Sequence, residues 1–297
     1  MMAKRIWVLI GTALAAIGLI IFVMAGTALG WDLSVADADT FTDNEYASLA
    51  DFSSVSADID TADITFIKAD AAKVTLYEEK ELPHKVEVRD GVLFIEAAQR
   101  KWTDSIKLIS VSSPRITVYL SEGQYEALNV IGSTGDVKIS GGIAFDSVGI
   151  SCSTGDVTVN DTSARAVSIE TDTGDISVKG IAAQELVLNV STGDVRAENV
   201  RCDTLRSEGS TGELFLSDTV ASGMITLERS TGDISFNGCD AAQIEIRTST
   251  GDVEGTLLTA KSFDADSDTG DVDVPRNTVG GKCTVRTDTG DIEIRIA

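Results

Sequence analysis

Histidine is almost missing from this chain: there is one, His84, in 297 residues, along with three prolines, three tryptophans and an aromatic fraction of 5%. That leaves little material for histidine-based acid–base catalysis or for a histidine metal site. Positive charge is scarce as well. Acidic residues outnumber basic ones 47 to 24, for a net charge of −23, which opposes affinity for nucleic acid or anionic lipid headgroups and leaves cations and cationic surfaces as natural partners. Disorder is excluded for most of the chain, because an apolar fraction of 43% is enough to build a core.

The N-terminus has the one long apolar run. Lys4 and Arg5 precede Ile6 to Leu29, a stretch without charge. As a helix it spans roughly 36 Å against a hydrocarbon core of about 30 Å. Trp31 follows, then Asp32, Asp37 and Asp39, so the nearby positive charge lies on the N-terminal side only. Residues 1–31 therefore read as a cytoplasmic N-terminus and single-pass membrane anchor, with residues 6–29 in the bilayer and the remainder outside the cytoplasm. A cleaved signal peptide with Gly26-Thr27-Ala28 as its processing site is the competing reading.

Residues 32–50, rich in Asp, Ala, Ser and Thr, read as a polar stalk. Residues 51–126 read as a β-rich cap, with alternating runs at Asp60 to Ile67, Lys73 to Tyr77, Lys85 to Val88, Val92 to Ile95 and Arg115 to Leu120. Asp90-Gly91 between two of them is a two-residue hairpin signal. His84, in a Leu-Pro-His segment, is expected in a solvated loop.

Residues 127–297 are a repeat. Thr-Gly-Asp recurs with glycines at Gly135, Gly155, Gly174, Gly193, Gly232, Gly251, Gly270 and Gly290, and Gly212 heads a Thr-Gly-Glu variant. The spacing is 19 or 20 residues throughout, which is the mark of a stacked architecture. Two residues after each glycine stands Val, Ile or Leu, from Val137 to Ile292. Seven and five residues before it, most copies are also apolar, as at Leu186 and Leu188. Each rung is then two strands of period two joined at a Thr-Gly corner, and no rung can bury its apolar stripe alone. The expected fold is all-β: a parallel β-solenoid of about nine rungs, with the corner glycines in backbone conformations other residues avoid. Asp60-Thr61-Ala62-Asp63-Ile64 looks like a degenerate earlier copy. Cys152, Cys202, Cys239 and Cys283 fall at four phases on rungs at least two apart, about 10 Å or more, which is too far for disulfides. They are expected to be free thiols that fill core space.

The apolar anchor, the Asp60-to-Ile67 element, the Asp90-Gly91 hairpin and the serial [Ser/Asp]-Thr-Gly-Asp-[Val/Ile] copies resemble the putative-adhesin family of bacterial β-strand-repeat envelope proteins. The resemblance covers the chain from residue 50 onward and implies location and shape. It carries no catalytic residue and no cofactor.

Candidate site residues follow from the repeat. Asp136, Asp156, Asp175, Asp194, Asp233, Asp252, Asp271 and Asp291 share one phase, so stacking sets like charges about 5 Å apart. At an effective dielectric near 20 each pair repels by about 3 kcal/mol, and in water by under about 1 kcal/mol. Relief comes either from solvation with hydrogen bonds to the amides of the residue's own corner, or from weak Ca²⁺ binding between rungs. Three function classes remain. The first is a non-catalytic surface protein, an adhesin or binding scaffold with a cell-wall polymer or host surface as partner. The second is a sensory or structural component of an envelope-stress system acting with a membrane signalling protein. The third and weakest is a polysaccharide-acting enzyme, for which the Gly212 rung is the place to look, because Glu213 replaces Asp there and Ser207, Gly209, Arg206 and Arg229 break the pattern.

Overall fold

The structure is a computed structural model that describes Met24, Thr27 and residues 41–97, 113–276 and 279–297. Apart from Met24 and Thr27, the expected membrane anchor lies outside the described residues, among which no helix is long and apolar enough to cross a membrane. The chain forms an all-β parallel solenoid of about eight turns between the corners at Gly135 and Gly290. Each rung has a long strand before the corner, such as Ala182–Thr192, and a short one after it, such as Val195–Glu198. Long strands stack into one sheet of 12 strands and short strands into another of 13. The apolar columns meet between the sheets: Leu186, Leu188 and Val195 are buried, as are their counterparts on neighbouring rungs. Burying each such side chain contributes about 1.5–3 kcal/mol, so the interior column is the main source of stability.

The degenerate copy near residue 60 is a true rung. Ser54–Thr61 pairs in parallel with Gln124–Thr134, and Asp63–Lys68 pairs with Val137–Ser140. Ala62 occupies the corner, its amide donating to the Thr134 carbonyl at 3.1 Å as the amide of every corner glycine but the outermost, Gly270, does to the next rung. Beyond this rung the stack is closed by antiparallel pairing. Phe41–Tyr46 pairs with Lys73–Glu79, which pairs with Arg115–Leu120, while Lys85–Arg89 and Val92–Glu96 form a hairpin. The hairpin turns on Asp90 and Gly91, both at positive φ (50° and 77°). The stalk reading of residues 32–50 is thus corrected in part. Phe41–Tyr46 is a strand because its alternate side chains find a surface: Phe41 is buried and stacks on Tyr77 with ring centroids 4.9 Å apart.

The other end departs from chain order. The Gly290 rung, Gly281–Thr289 with Ile292–Ile296, inserts between the Gly251 rung and the Gly270 rung, which is left outermost. Burial explains the exchange. The inserted rung brings Cys283, Val285, Ile292 and Ile294 into the core, all at most 1% exposed. The displaced rung is rich in acid, and Asp264 and Asp273 on it are bound by Arg286 and Arg295 of the inserted rung at 2.5 and 2.8 Å. A charged outermost strand also blunts an open sheet edge. One consequence corrects the sequence reading, which placed every residue two beyond a corner glycine in the core: Val272 is 42% exposed because no rung covers it.

Candidate functional site

The corner is built by hydrogen bonds that run along the stack. Nine glycines, from Gly135 to Gly290, have φ between 130° and 155°, a region closed to residues with a side chain. Each Asp side chain except that of Asp271, in the outermost rung, then caps the neighbouring rung rather than its own corner. Asp136 Oδ1 accepts from the Asp156 amide at 2.9 Å, Asp156 from Asp175 at 2.8 Å, and Asp175 from Asp194 at 2.8 Å. The series begins at Asp63, which accepts from the Asp136 amide at 3.0 Å. At the far end it follows spatial order, from Asp233 to Asp252, to Asp291, to Asp271. Each carboxylate therefore meets the positive end of an N–H dipole while remaining exposed to water, and both effects offset the like-charge repulsion. The variant residue breaks the series: Glu213 donates its own amide to Asp194 Oδ1 at 2.8 Å, but among the described residues no bond joins its longer side chain to the Asp233 amide. No group of three or more acidic, histidine or cysteine ligands converges among the described residues, and one oxygen of each capping carboxylate is already engaged.

A second corner escaped the sequence reading. Asp161, Gly180, Asn199 and Asp218 have positive φ (50°, 66°, 51° and 48°) at the return turn between rungs. The signal was Asn, Asp or Gly recurring every 19 residues, the residue types that tolerate this conformation.

The pattern breaks around the Gly212 rung do not assemble one reactive centre. Arg206 points outward and pairs with Glu208, and Glu213 lies exposed at the corner. Ser207 and Arg229 point inward instead. Arg229 is 4% exposed; its Nη2 donates to Ser207 Oγ at 3.1 Å and its Nη1 to the Glu228 carbonyl at 2.9 Å, while Nε has no partner. Burial pulls its pKa down to about 10, against a smaller opposing pull from Asp194. Gly209 makes the room: a Cβ there would lie 2.9 Å from Arg229 Nη1 and 2.8 Å from the Val190 carbonyl oxygen. Ser207 and Gly209 are thus the complement of one buried arginine on the next rung.

Outside this region, a groove of about 600 Å³ crosses the long-strand sheet over six rungs. Its main column runs Glu170, Asn189, Glu208, Glu228, Arg247, Arg286 in strand register. Ser191, Ser210, Ser230 and Ser249 lie beside it, and all four are exposed.

His84 is not in a solvated loop. It is 7% exposed, and both its amide (2.6 Å) and its Nδ1 (2.8 Å) bond Glu78 Oε2, while Asn44 Nδ2 donates to Glu78 Oε1 at 2.7 Å. Burial raises the Glu78 pKa, but the bonds from His84 and Asn44 outweigh it and the net shift is downward. The missed signal was phase: Glu78 follows Val74 and Leu76 at the inward positions of its strand. The four cysteines are buried and unpaired, and burial raises Cys152, Cys202 and Cys239 to about 11 and Cys283 to about 12, so they are poor nucleophiles.

No curated protein matches the chain. Among solved structures, a putative adhesin from Bacteroides fragilis is similar over 87% of this chain and 98% of its own, at 16% identity and a TM-score of 0.53, which supports the fold. A putative lipid binding protein from Parabacteroides distasonis covers 88% of this chain and 98% of its own at 14% identity and a TM-score of 0.44. A family model, Toastrack DUF4097, matches residues 52–236 and 217–297. With nearly the whole solenoid and its cap inside those matches, the chain belongs to the Toastrack DUF4097 family.

Proposed function

We propose that this protein is a non-catalytic binding scaffold of the bacterial cell surface, held in the membrane by residues 6–29 with its solenoid outside the cytoplasm. The observation that carries the reading is the regular corner, whose bonds from Asp63 to Glu213 and again from Asp233 to Asp271 fix polar and acidic columns at constant spacing on a rigid stack. Such a surface suits recognition of an extended partner, whereas catalysis needs a local group set unlike its surroundings. The similar structure from Bacteroides fragilis, named a putative adhesin, agrees with a binding role. A cell-wall polymer or a host surface is the expected partner class.

Two measurements test this. Protease added to intact, wall-stripped cells should remove the solenoid and leave the anchor in the membrane, and protection of the solenoid would overturn the topology. The tagged full chain should also capture wall polymer or host-surface material, and recovery of membrane signalling proteins alone would replace the scaffold with a sensory role.

A further inference from the structure

The two ends of the solenoid differ. At one end the antiparallel cap covers the stack, finishing on Phe41–Tyr46 and Lys85–Arg89. At the other, Lys261–Thr269 and Val272–Asp273 are the last strands of the two sheets, and each pairs on one side only. The inward positions register the difference. Cys283 and Ile292 on the inserted rung are at most 1% exposed, whereas Val272, the register partner of Ile292, is 42% exposed, and Phe263, the partner of Cys283, is only half-buried.

The backbone at this end is set for one more rung. On all the other repeats the amide of the corner glycine and the amide two residues on donate to the next rung, as Gly290 N–H does to the Thr269 carbonyl at 3.0 Å and Ile292 N–H to the Asp271 carbonyl at 2.9 Å. The equivalent amides here, of Gly270 and Val272, have no bond among the described residues, and neither has the Asp271 carboxylate, although Asp291 one rung inward accepts from the Asp271 amide at 2.8 Å. Unmet donors and an acceptor at strand spacing, above a half-covered apolar interior, form a template for a polypeptide strand.

Charge selects the strand. Asp266, Asp268 and Asp271 are exposed and have no ion-pair partner among the described residues. The inner side of the same rung already displays what docks on it: the inserted rung brings Arg286 to Asp264 at 2.5 Å and Arg295 to Asp273 at 2.8 Å. A second copy pairing through the same edge would set these carboxylates against their own counterparts, which is unfavourable. The acids that discourage a second copy favour a basic strand.

We propose that the open end binds an extended basic segment of a partner protein, added as a further rung along Lys261–Thr269 and round the corner to Val272, with apolar side chains over Phe263 and Val272 and Lys or Arg against Asp266, Asp268 and Asp271. The proposal rests on the scaffold reading and specifies its partner as a polypeptide. Under that reading the open end is the tip of the molecule, at the opposite edge of the 13-stranded sheet from Phe41–Tyr46 and roughly 58 Å from the end nearest the membrane.

The test is titration of the purified full chain in detergent with three labelled twelve-residue peptides: alternating lysine and valine, alternating glutamate and valine, and alternating lysine and proline, the last keeping the charge but lacking every second amide donor. The lysine–valine peptide should bind at least tenfold more tightly than the other two and should slow hydrogen exchange at amides within residues 262–272. Asp266→Asn with Asp268→Asn should reduce that affinity at least tenfold, while Glu170→Gln with Glu228→Gln, on the flank of the same sheet, should leave it unchanged. An unaltered melting temperature in the first double variant separates lost binding from lost fold. Equal binding of the lysine–proline peptide, protection centred on Lys85–Arg89 instead, or no effect of Asp266→Asn with Asp268→Asn would overturn the site. Self-association of the chain that protects the same amides would replace the basic partner with a second copy. If no peptide binds while the full chain still captures surface material, the open end falls and the scaffold reading stands; failure of both removes both.

Discussion

Replacing Gly193 with alanine tests the corner directly, because its cost can be worked from the geometry. At φ 144° the residue lies where an L side chain is strained, which costs about 1–3 kcal/mol. The added Cβ would also lie 2.1 Å from the Gly174 carbonyl oxygen, where even 3.0 Å is closer than real contacts allow. Relief requires the two corners to separate by about 1 Å. That stretches three bonds beyond useful length: Gly174 N–H to Thr192 O (3.0 Å), Ile176 N–H to Asp194 O (2.9 Å) and Asp194 N–H to Asp175 Oδ1 (2.8 Å). At about 1 kcal/mol each, the expected total is about 4–6 kcal/mol. Urea denaturation should show the unfolding free energy falling by that amount and the midpoint falling in proportion, with hydrogen exchange accelerating at the amides of residues 174–194. Ser177→Ala, on an outward-facing position of a neighbouring strand, should cost under about 0.5 kcal/mol. Gly270→Ala has the same 2.1 Å clash but lies in the outermost rung, which can lift away alone, so its loss should be smaller. Equal effects at Gly193 and Ser177 would refute the corner geometry.

Glu213→Asp should restore the missing bond to the Asp233 amide and raise the melting temperature, corresponding to about 1 kcal/mol; millimolar Ca²⁺ should add nothing beyond matched NaCl, since each capping carboxylate already serves an amide. A calcium-specific rise that disappears when Asp175, Asp194 and Asp233 are all changed to Asn would instead establish a cation between rungs. Arg229→Met should be neutral or stabilising by up to about 3 kcal/mol at pH 7, the worth of a guanidinium pKa pulled down by burial to about 10, because the folded state disfavours the charge that the unfolded state keeps. The same linkage makes wild-type stability rise as pH climbs above about 10, a rise the variant should lack in alkaline melting curves. Glu78 has a depressed pKa, so its contribution is present above its ordinary value of 4.5 and is lost as pH falls below that; Glu78→Gln should flatten the acid limb of the stability profile and lower stability at pH 7.

The repeat made most of the solenoid legible. Val, Ile or Leu two residues after a corner could only be an inward position, and the glycines marked a backbone that the φ values bear out at all nine. What stayed hidden depended on contacts distant in sequence. Near-identical rungs present near-identical edges, so local pattern cannot tell whether the Gly270 or the Gly290 rung docks on the Gly251 rung; comparing Ile292 and Ile294 with the acid-rich alternative decides it. Glu78 and His84 were hidden because a residue's class was read before its phase. The groove could not be seen at all, since Glu170, Asn189, Glu208 and Glu228 form a column only once the register is known.

The exchanged final rungs have a consequence for how the molecule is made. A chain folding from its N-terminus can stack rungs in order as far as Leu257, and then receives Lys261–Thr269, a segment whose neighbour has not yet emerged. It has to wait, or dock provisionally and be displaced, until Gly281–Ile296 arrives and takes the inner place. The Gly281–Ile296 segment is thus the keystone, and assembly proceeds by steady addition until a pause and a single closing event. A chain cut short before residue 281 would expose the edge of Gln243–Thr250 to any passing strand. Docking of Gly281–Ile296 and concealment of the Gln243–Thr250 edge are one step, so molecules that have taken it are the ones protected from edge-to-edge pairing.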